Sequence, residues 1–375
     1  MIIGLDASRA LRAKRTGTER YSLELINALL ALESGHDIRL YVPSPPANRD
    51  LFHKQARFTV VPGRRLWTHA HLGPYLRRHP PDVLFVPAHV LPVSGPDARR
   101  LPTVVTVHDL GYEHFPAAHP WRQRAYLRWS TRRHARIASR IIADSQATKE
   151  DLVRLYGADP DRIHVVHLAP DPSLKPERDP ARIARALGSY GLPDGAEYIL
   201  HIGTLQPRKN LARLIEAFAL VRQRLPDRPL YLVLAGSPGF DSQSLYEMPA
   251  AYGIEPFVRF TGFARVHDIP ALYAAAACYA FPSLCEGFGF PALEAQACDT
   301  PLVCAAASSL PEVAGDGALY FDPLDVSALA AALTRVLTEP ELRAGLIANG
   351  RANLTRFSWA KTAAETLAVL ELAAA

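Results

Sequence analysis

The sequence predicts an α/β protein with two domains, each built on a parallel β-sheet covered by helices. Its 375 residues are enough for two domains of ordinary size. Short apolar and β-branched runs alternate with longer amphipathic runs, as in parallel sheets with crossover helices, and the alternation occurs twice. We therefore expect a first domain at residues 1–170, a second domain at residues 171–355 and a closing helical segment at residues 356–375.

Seven predicted strands in the first half are short runs rich in Val, Ile and Leu. They are Ile2–Leu5, Asp37–Val42, Phe58–Val61, Val83–Val86, Thr103–Val107, Arg140–Ala143 and His164–Val166. Glu19–Leu32 and Trp121–Ser139 are predicted helices between them.

Six predicted strands follow in the second half. They are Tyr198–Ile202, Tyr231–Ala235, Val258–Thr261, Cys278–Phe281, Leu302–Ala305 and Ala318–Phe321. The predicted helices are Asn210–Arg224, Val266–Ala276, Pro291–Ala297, Val326–Thr338 and Ser358–Ala375. Residues 167–195 are rich in Pro, Asp and Gly and indicate the domain junction. Because ligands bind beyond the carboxyl ends of parallel strands, we expect two sheets that face one cleft, with one substrate held by each half.

The stretch PSLCEGFGFPALEAQ is the most informative motif. It follows the predicted strand Cys278–Phe281, and its Pro291 suits the start of a helix. Glycines let the backbone approach a ligand closely, and N–H groups at a helix start can bind phosphate. The residues expected in this phosphate-binding turn are Gly287, Phe288, Gly289 and Phe290. Glu286 before the turn and Glu294 in the first turn of the helix can accept hydroxyl hydrogen bonds, one from a sugar and one from a ribose.

The same stretch also fits the G-x-G-x-x-A pattern of a dinucleotide site. That pattern is weak by itself, because such a site lies early in a βαβ unit and has an acidic residue after the second strand. Here it comes late in the chain, and the strand Leu302–Ala305 runs into further alanines. A tight turn with Glu294 as a partner of the helix dipole is the purely structural alternative.

The stretch HIGTLQPRKN follows the predicted strand Tyr198–Ile202. Gly203 ends that strand, Thr204 comes next, and Arg208 and Lys209 stand where the following helix is expected to begin. Cations at a helix start oppose the helix dipole, which argues against a purely structural role. Fixed cations suit a departing diphosphate, because its charge grows as a glycosidic bond breaks. We therefore predict that both cations bind a diphosphate.

In the first half, His108 and Asp109 come directly after the strand Thr103–Val107. At this strand end His108 is expected to reach a sugar hydroxyl in the cleft, and a satisfied core histidine is the alternative. The segment RAKRTGTERY joins the first strand to the first helix, and its Gly17 is expected at the floor of the acceptor side. Glu19 fits either a ligand contact or pairing at the helix start.

No metal or other cofactor is expected. Asp159 and Asp161 form an Asp-x-Asp pattern, but the proline between them indicates a turn or helix start rather than a divalent-ion site. Neutralisation of phosphate is then expected from Arg208, Lys209 and backbone N–H groups.

The charge is uneven along the chain. Residues 1–170 carry 25 Lys and Arg against 15 Asp and Glu, whereas residues 171–375 carry 17 against 22. A basic first half favours an anionic partner, although 36 of the 42 basic residues are Arg, as a GC-rich genome would also produce. Trp121–Arg140 contains seven Arg and no acid, which fits either a helix on an anionic membrane surface or a solvated helix.

The sequence lacks the signals expected for nucleic-acid binding, for a membrane-spanning helix and for secretion. No nucleic-acid recognition motif accompanies the basic charge, so no nucleic acid is expected. No apolar run is long enough to span a bilayer, and the start does not resemble a signal peptide. We expect a cytoplasmic protein, at the inner face of the membrane if Trp121–Arg140 makes that contact.

Together these motifs resemble the retaining glycosyltransferases of family GT4, which have the GT-B fold of two Rossmann-like domains that face a central cleft. The resemblance covers nearly the whole chain and rests on VHD, GTLQPRKN and two glutamates with seven residues between them. It implies that Glu286 contacts the donor sugar and Glu294 the ribose. It implies further that Arg208 and Lys209 hold the diphosphate, that His108 lies beside the transferred sugar, and that the closing helix packs on the first domain.

The resemblance also implies a hexose, with mannose favoured, moved from a nucleoside diphosphate sugar to a saccharide or lipid-linked acceptor. Retention would follow a front-face displacement through an oxocarbenium-like state, in which the departing diphosphate helps to deprotonate the acceptor. Two residues depart from the common pattern, since Thr204 and Glu19 stand where many relatives have Arg and Gly. The alternatives are a nucleotide-sugar epimerase or hydrolase on the same fold, and a non-catalytic protein that binds sugar nucleotides.

Overall fold

The computed structural model describes residues 1–12, 17–88, 90–93, 101–193, 195–239 and 242–375, and the chain divides into two compact units. The first unit comprises Met1–Leu110, Trp121–Ala169 and Phe357–Ala375. The second unit comprises Gly111–Pro120 and Pro170–Arg356. The segment Gly111–Pro120 therefore groups with the second unit, although the sequence assigned it to the first domain.

The first unit contains a seven-stranded parallel sheet in the order β3-β2-β1-β4-β5-β6-β7. Its strands are β1 (Ile2–Asp6), β2 (Asp37–Val42), β3 (Arg57–Val60), β4 (Val83–Val86), β5 (Thr103–Val107), β6 (Arg140–Ala143) and β7 (Ile163–Val165). In register, Ile3 lies opposite Ile38 on one side and Val83 on the other. The sheet thus grows outward in both directions from β1 and β4.

The second unit repeats this arrangement with six parallel strands in the order β10-β9-β8-β11-β12-β13. Its strands are β8 (Glu197–Ile202), β9 (Leu230–Ala235), β10 (Val258–Gly262), β11 (Cys278–Phe281), β12 (Leu302–Ala305) and β13 (Leu319–Phe321). The direction in which strands are added reverses between β8 and β11. Doubly wound sheets of this order bind ligands at such a reversal, beyond the carboxyl ends of the strands.

Helices connect the strands of both sheets. In the described residues they are α1 (Gly17–Ala31), α2 (Gly73–Arg78), α3 (Gly111–His114), α4 (Trp121–Ile137), α5 (Gln146–Tyr156), α6 (Pro180–Ser189), α7 (Leu211–Arg224), α8 (Met248–Ala251), α9 (Ile269–Ala274), α10 (Phe290–Ala297), α11 (Leu310–Ala314), α12 (Val326–Thr338), α13 (Pro340–Leu354) and α14 (Trp359–Ala374). The central strands β4, β5, β11 and β12 are buried along their whole length, as expected for parallel sheets covered on both faces.

Local signals set several helix ends. The Ser145 hydroxyl accepts the Thr148 N–H at the start of α5, and Gly157 ends that helix with φ +61°. Ser358 caps α14 in the same way through the Lys361 N–H. Helix α14 packs on α1 within the first unit, and the Thr362 hydroxyl donates to the His167 carbonyl at 2.7 Å.

The predicted fold class is confirmed, because both parallel sheets are present and every predicted strand bound lies within one residue of the observed one. Two helix predictions were too long. The segment predicted as Val266–Ala276 begins with a separate turn, Val266–Asp268, and the helix proper is α9. Helix α4 ends at Ile137, two residues earlier than predicted.

Candidate functional site

The loops that follow β8 and β11 lie side by side at the reversal point of the second sheet. A tight turn, Pro207–Lys209, separates β8 from α7. Asn210 adopts a left-handed conformation with φ +60°, and its side-chain amide donates to the carbonyls of Pro282 and Pro323. The Leu284 N–H donates to the Arg208 carbonyl at 2.8 Å. These bonds fix the two loops against each other.

The two loops bring Arg208, Lys209 and Glu286 into one charged cluster. Arg208 Nη1 lies 2.6 Å from Glu286 Oε2, and Lys209 Nζ lies 2.6 Å from Glu286 Oε1. Arg208 also donates to the Cys285 carbonyl at 2.9 Å. Lys209 and Glu286 are buried, and the Lys209 ammonium lies 5.3 Å from the centre of the Phe281 ring. Each carboxylate oxygen therefore bonds to a different cation.

The electrostatics of the cluster favour a fully ionised state. Burial alone would raise the pKa of Glu286, but the charges of Arg208 and Lys209 outweigh burial and lower it to about 2. Two cations and one carboxylate leave the cluster with one net positive charge. A buried excess of positive charge attracts an anionic ligand group.

The glycine-containing turn after Glu286 is held from behind by two serines. The Ser308 hydroxyl donates to the Glu286 carbonyl at 2.7 Å, and Ser309 Oγ lies 2.9 Å from that carbonyl and 2.8 Å from the Phe288 carbonyl. Gly289 has φ +107°, and a Cβ atom there would lie 2.8 Å from a Leu310 methyl. The position therefore requires glycine, for both conformation and space.

The remaining predicted donor residues lie around this cluster. Gly203 follows β8 directly, and a Cβ atom there would lie within 4 Å of Lys209 Cε and Nζ, so a side chain would crowd the cation. Thr204 is exposed. Gly287 and Phe288 are buried in the turn, and Phe290 is half-buried at the start of α10.

Glu294 lies one residue further into its helix than the sequence predicted. Because α10 begins at Phe290, Glu294 is the fifth helical residue and stands outside the first turn. It is buried, and Tyr273 donates its hydroxyl to Glu294 Oε2 at 3.2 Å. The prediction that Glu294 stands in the first turn is therefore wrong by one residue, and the purely structural alternative, a partner of the helix dipole, loses support.

Sequence reasoning missed His201, a fully buried histidine on β8. Its Nδ1 lies 3.0 Å from the Ala280 carbonyl, and its ring stacks on Tyr279 with 5.9 Å between ring centres. Burial lowers the pKa of His201 to about 4, so the ring is neutral near pH 7. Its Nε2 would lie 3.3 Å from a Cβ atom at Gly203. A histidine within an otherwise apolar strand was the available signal.

In the first unit, His108 lies at the carboxyl end of β5, as predicted. Its Nδ1 lies 2.7 Å from Asp144 Oδ2, and its Nε2 lies 2.9 Å from the Pro87 carbonyl. Both neighbours can accept a hydrogen bond, so this geometry favours a ring with protons on both nitrogens, while burial raises the pKa of Asp144. Burial disfavours the charged ring, but the Asp144 carboxylate outweighs burial and raises the pKa of His108. To contact a sugar hydroxyl through Nε2, His108 would have to exchange its hydrogen bond to the Pro87 carbonyl for one to the sugar.

Asp144, which comes directly after β6, was not predicted from the sequence. Tyr21 also packs edge-on against the His108 ring at 4.9 Å between ring centres, and its hydroxyl lies 3.0 Å from the Thr106 hydroxyl. Asp109 is half-buried beside this group. The strand ends of the first unit thus hold an ion pair between the half-buried His108 and the buried Asp144.

The glycine predicted at the floor, Gly17, is exposed and begins α1, while the preceding residues 13–16 of that loop lie outside the described residues. Glu19 pairs with Arg9 at 3.1 Å, which agrees with pairing near the helix start. Asp159 accepts the Asp161 N–H and caps a short turn, Pro160–Arg162, as the sequence indicated. In the part of the chain that the structure describes, no group of three or more His, Cys, Asp or Glu side chains could hold a metal ion.

Helix α4 presents several large aromatic side chains to solvent. Trp121, Tyr126 and Trp129 are 73%, 43% and 45% exposed. The guanidinium of Arg122 lies 5.3 Å from the centre of the Trp121 ring. Among the described helices, none is both long enough and apolar enough to cross a bilayer.

Comparisons with known proteins agree with this architecture. The family model Glycosyltransferase Family 4 matches residues 15–174, and Glycosyl transferases group 1 matches residues 184–353. The O-antigen chain mannosyltransferase B of Escherichia coli is 31% identical over 396 aligned positions, which cover 98% of each chain. The D-inositol 3-phosphate glycosyltransferase of Salinispora arenicola (strain CNS-205) is 37% identical over 243 positions, which cover 62% of this chain and 54% of that protein.

Solved structures show the same fold at lower identity. Anabaena Alr3699/HepE in complex with UDP and glucose has a TM-score of 0.72 and 22% identity, over 99% of both chains. Sucrose-phosphate synthase from Thermosynechococcus elongatus has a TM-score of 0.75 and 21% identity, over 99% of this chain and 98% of that one. WaaG, a glycosyltransferase involved in lipopolysaccharide biosynthesis, has a TM-score of 0.70 and 19% identity, over 99% of both chains.

Two doubly wound parallel sheets, two family models matched in order and a relative aligned over nearly the full chain all agree. The chain therefore belongs to the glycosyltransferases of family 4, and it has the GT-B fold.

Proposed function

We propose that this protein is a retaining, metal-independent hexosyltransferase that uses a nucleoside diphosphate sugar, with mannose as the first candidate sugar. The acceptor is a saccharide or a lipid-linked saccharide. The observation that carries the proposal is the cluster of Arg208, Lys209 and Glu286 at the reversal point of the second sheet. The name of the E. coli relative supports mannose and a saccharide acceptor, and HepE bound to UDP supports a nucleotide-sugar donor.

The cations of the cluster suit the leaving group. The diphosphate gains negative charge as the bond to the sugar breaks, so fixed positive charge stabilises the transition state more than the ground state. Lys209 and Arg208 are already oriented by Glu286, so little reorganisation is needed when the charge develops. Such preorganisation is the largest single contribution in many enzymes.

The two glutamates fit the recognition of hydroxyl groups. Glu286 is ionised and fixed by two cations, and each of its oxygens has capacity to accept a further hydrogen bond. The buried Glu294 carboxylate accepts a hydrogen bond from the Tyr273 hydroxyl, which shows that it can act as an acceptor for a hydroxyl group. We assign Glu286 to the donor sugar and Glu294 to the ribose.

The proposed reaction is a displacement on one face of the sugar. The bond from the anomeric carbon to the diphosphate oxygen breaks and its electron pair leaves with the diphosphate. The acceptor oxygen bonds to the same carbon from the same face, and its proton passes to the departing diphosphate. Nothing is oxidised or reduced, and the cations of Arg208 and Lys209 neutralise the leaving group.

Thermal stabilisation by UDP, GDP, ADP and dTDP in the presence of EDTA tests the donor site. A diphosphate at one hundred times its Kd adds about 2.7 kcal/mol of stability. We expect one diphosphate to stabilise the wild type and to stabilise Lys209→Ala much less. If none of the four stabilises the protein at millimolar concentration, the assigned donor site is wrong.

Product analysis tests the reaction itself. The nucleoside diphosphate hexoses are incubated with saccharide and lipid-linked acceptors, with EDTA or with Mg²⁺, and the product is analysed by NMR. We expect a new glycosidic bond with the anomeric configuration of the donor, formed equally well in EDTA. An epimerised or hydrolysed donor without transfer would indicate the other enzyme classes, and diphosphate binding without turnover would indicate a binding protein.

We propose in addition that α4 rests on an anionic membrane surface. Its exposed Trp121 and Trp129 can enter the interface, while Arg122 and Arg132 on exposed positions attract anionic headgroups. Arg133 is excluded from this role, because it donates to the carbonyls of Leu91 and Pro92.

Liposome co-sedimentation tests the membrane contact. We expect binding to vesicles with anionic lipid, weakened by salt and by Arg122→Gln/Arg132→Gln. The matched control is Arg185→Gln/Arg224→Gln, two exposed arginines of the second unit. Equal binding by both double variants, or binding that does not depend on anionic lipid, would contradict the proposal.

A further inference from the structure

A cavity of about 420 Å³ lies in the first unit, and His108 is not part of its described lining. Loops that follow three neighbouring strands form its walls. Its polar and aromatic lining includes Ser8, Arg9 and Arg12 after β1, Ser44 after β2, and Arg64 and Trp67 after β3. The cavity therefore lies beyond the carboxyl ends of parallel strands, where doubly wound sheets bind ligands.

The charge of the lining is one-sided. Three arginines contribute to the described wall, and none of the lining residues in the described part of the chain is acidic. Arg9 pairs with Glu19 at 3.1 Å. Burial lowers the pKa of Arg9, the Glu19 carboxylate partly raises it again, and the positive charge of Arg12 lowers it, so Arg12 lies close enough to Arg9 for their charges to repel. An anion between such groups would relieve that repulsion.

The walls are held by fixed contacts. The buried Trp67 donates its indole N–H to the Val61 carbonyl at 2.7 Å. The buried Asp6 carboxylate accepts the Ser8 N–H at 3.0 Å and lies 3.5 Å from the Thr68 hydroxyl, which joins the loops after β1 and β3. At Gly63, a Cβ atom would lie 2.5 Å from the His71 ring. These contacts hold the loops after β1 and β3 in place around the cavity.

We propose that this cavity binds a phosphate ester on the acceptor, through the guanidinium groups of Arg9, Arg12 and Arg64. One guanidinium group can donate two parallel hydrogen bonds to two oxygens of a phosphate group. Three guanidinium groups suit a phosphate ester with two negative charges. The assignment to the acceptor rests on the proposed transferase function, since the donor diphosphate is assigned to the second unit. The phosphate belongs either to a soluble saccharide phosphate or to a lipid-linked acceptor.

Calorimetric titration of the full chain with mannose 6-phosphate, with mannose as the neutral comparison, tests the site without catalysis. We expect the phosphate ester to bind more tightly than mannose. Arg12→Gln and Arg64→Gln should each weaken binding roughly tenfold, as expected for one hydrogen bond to a charged group. Both side chains are exposed, so the variants should keep the unfolding temperature of the wild type. Arg78→Gln, on the exposed end of α2, is the matched control.

Two further variants locate the bound phosphate. Binding that persists in Arg12→Gln/Arg64→Gln and is lost in Lys209→Ala would belong to the donor site and would overturn the proposal. Binding that is lost in Arg12→Gln/Arg64→Gln and persists in Lys209→Ala supports the proposal. Monomeric dihexanoyl phosphatidic acid is titrated in parallel, and the probe that depends more strongly on Arg12 and Arg64 identifies the source of the phosphate.

The failure of this proposal is distinguishable from failure of the transferase function. If transfer occurs and the double variant Arg12→Gln/Arg64→Gln leaves the acceptor KM unchanged, the cavity proposal fails while the transferase stands. If phosphate binding depends on Arg12 and Arg64 but no donor is turned over, the cavity is a phosphate site and the transferase function fails.

Discussion

The two units each bury a carboxylate directly beyond a parallel strand, but they pair it differently. In the first unit, Asp144 bonds to His108, whose other nitrogen donates to the Pro87 carbonyl. In the second unit, Glu286 bonds to two cations, Arg208 and Lys209, that come from one tight turn. The first arrangement is neutral overall, and the second has one positive charge in excess.

The two arrangements differ in their capacity to attract an anionic ligand. A buried pair of equal and opposite charges has no net charge to attract an anion, and all the ring protons of His108 already have acceptors within the unit. It ties the loops after β4, β5 and β6 together. The second cluster keeps its excess charge beside a glycine turn, where an anionic group can approach the backbone closely.

The largest expected effect is on the ion pair of the first unit. Asp144→Asn leaves the half-buried His108 imidazolium without its counter-charge, which costs about 3 kcal/mol of unfolding free energy, the lower end of the range for buried pairs. Scanning calorimetry should show the unfolding temperature lowered by roughly 10 °C. His108→Gln in the same chain should recover part of the loss, because it removes the unpaired charge. Asp159→Asn is the control, since Asn caps a turn as well as Asp does, and an equal effect of both substitutions would contradict the pairing.

The next effect is on turnover in the second unit. Lys209→Met removes one cation from the leaving diphosphate and should lower kcat by about a hundred- to a thousandfold. The fold should survive, because Arg208 still pairs with Glu286. Lys175→Met replaces an exposed lysine of the same unit and should leave kcat unchanged. A loss below tenfold for Lys209→Met would show that this cation does not act on the leaving group.

The smallest effect distinguishes the two clusters by the sign of their pH dependence. The pKa of Glu286 is lowered from 4.5 to about 2, so its stabilisation is present above pH 4.5 and is lost as the pH falls towards 2. Between pH 6 and 3.5 the stability gap between wild type and Glu286→Gln should narrow by roughly 1.4 kcal/mol.

The pair in the first unit should respond in the opposite direction. The pKa of His108 is raised above its ordinary value of 6.5, so its stabilisation is complete below pH 6.5 and is lost as the pH rises through the raised value. Calorimetry from pH 6 to 9 should show the gap between wild type and His108→Gln narrowing. A gap that widens with rising pH would contradict a charged His108.

Much of the fold could be predicted because strand signals are local. Runs such as Val83–Val86 and Cys278–Phe281 are apolar throughout, since parallel strands are buried on both faces, and their bounds were predicted without error. Helix bounds were less certain. Pro270 lies at the start of α9, so the preceding residues form a separate turn rather than one continuous helix.

The sequence predicted which residues belong to the candidate site better than it predicted the contacts between them. Arg208, Lys209 and Glu286 were all singled out from the sequence, but their mutual pairing was not. Glu294 was placed one position too early in its helix, because the helix start was assigned to Pro291 rather than Phe290. His201 was overlooked, because a single polar residue in an apolar strand does not reveal what lies opposite it in the sheet.

The sequence by itself determined two doubly wound sheets and the strand ends at which the chemistry-bearing residues stand. It did so because the apolar residues of each short strand indicate by themselves that the strand is buried. The tertiary structure alone decided which charges meet: His108 with Asp144 across 36 residues, and Lys209 with Glu286 across 77. Those pairings depend on which strands become neighbours and on the turns between them, and neither is encoded in a local pattern.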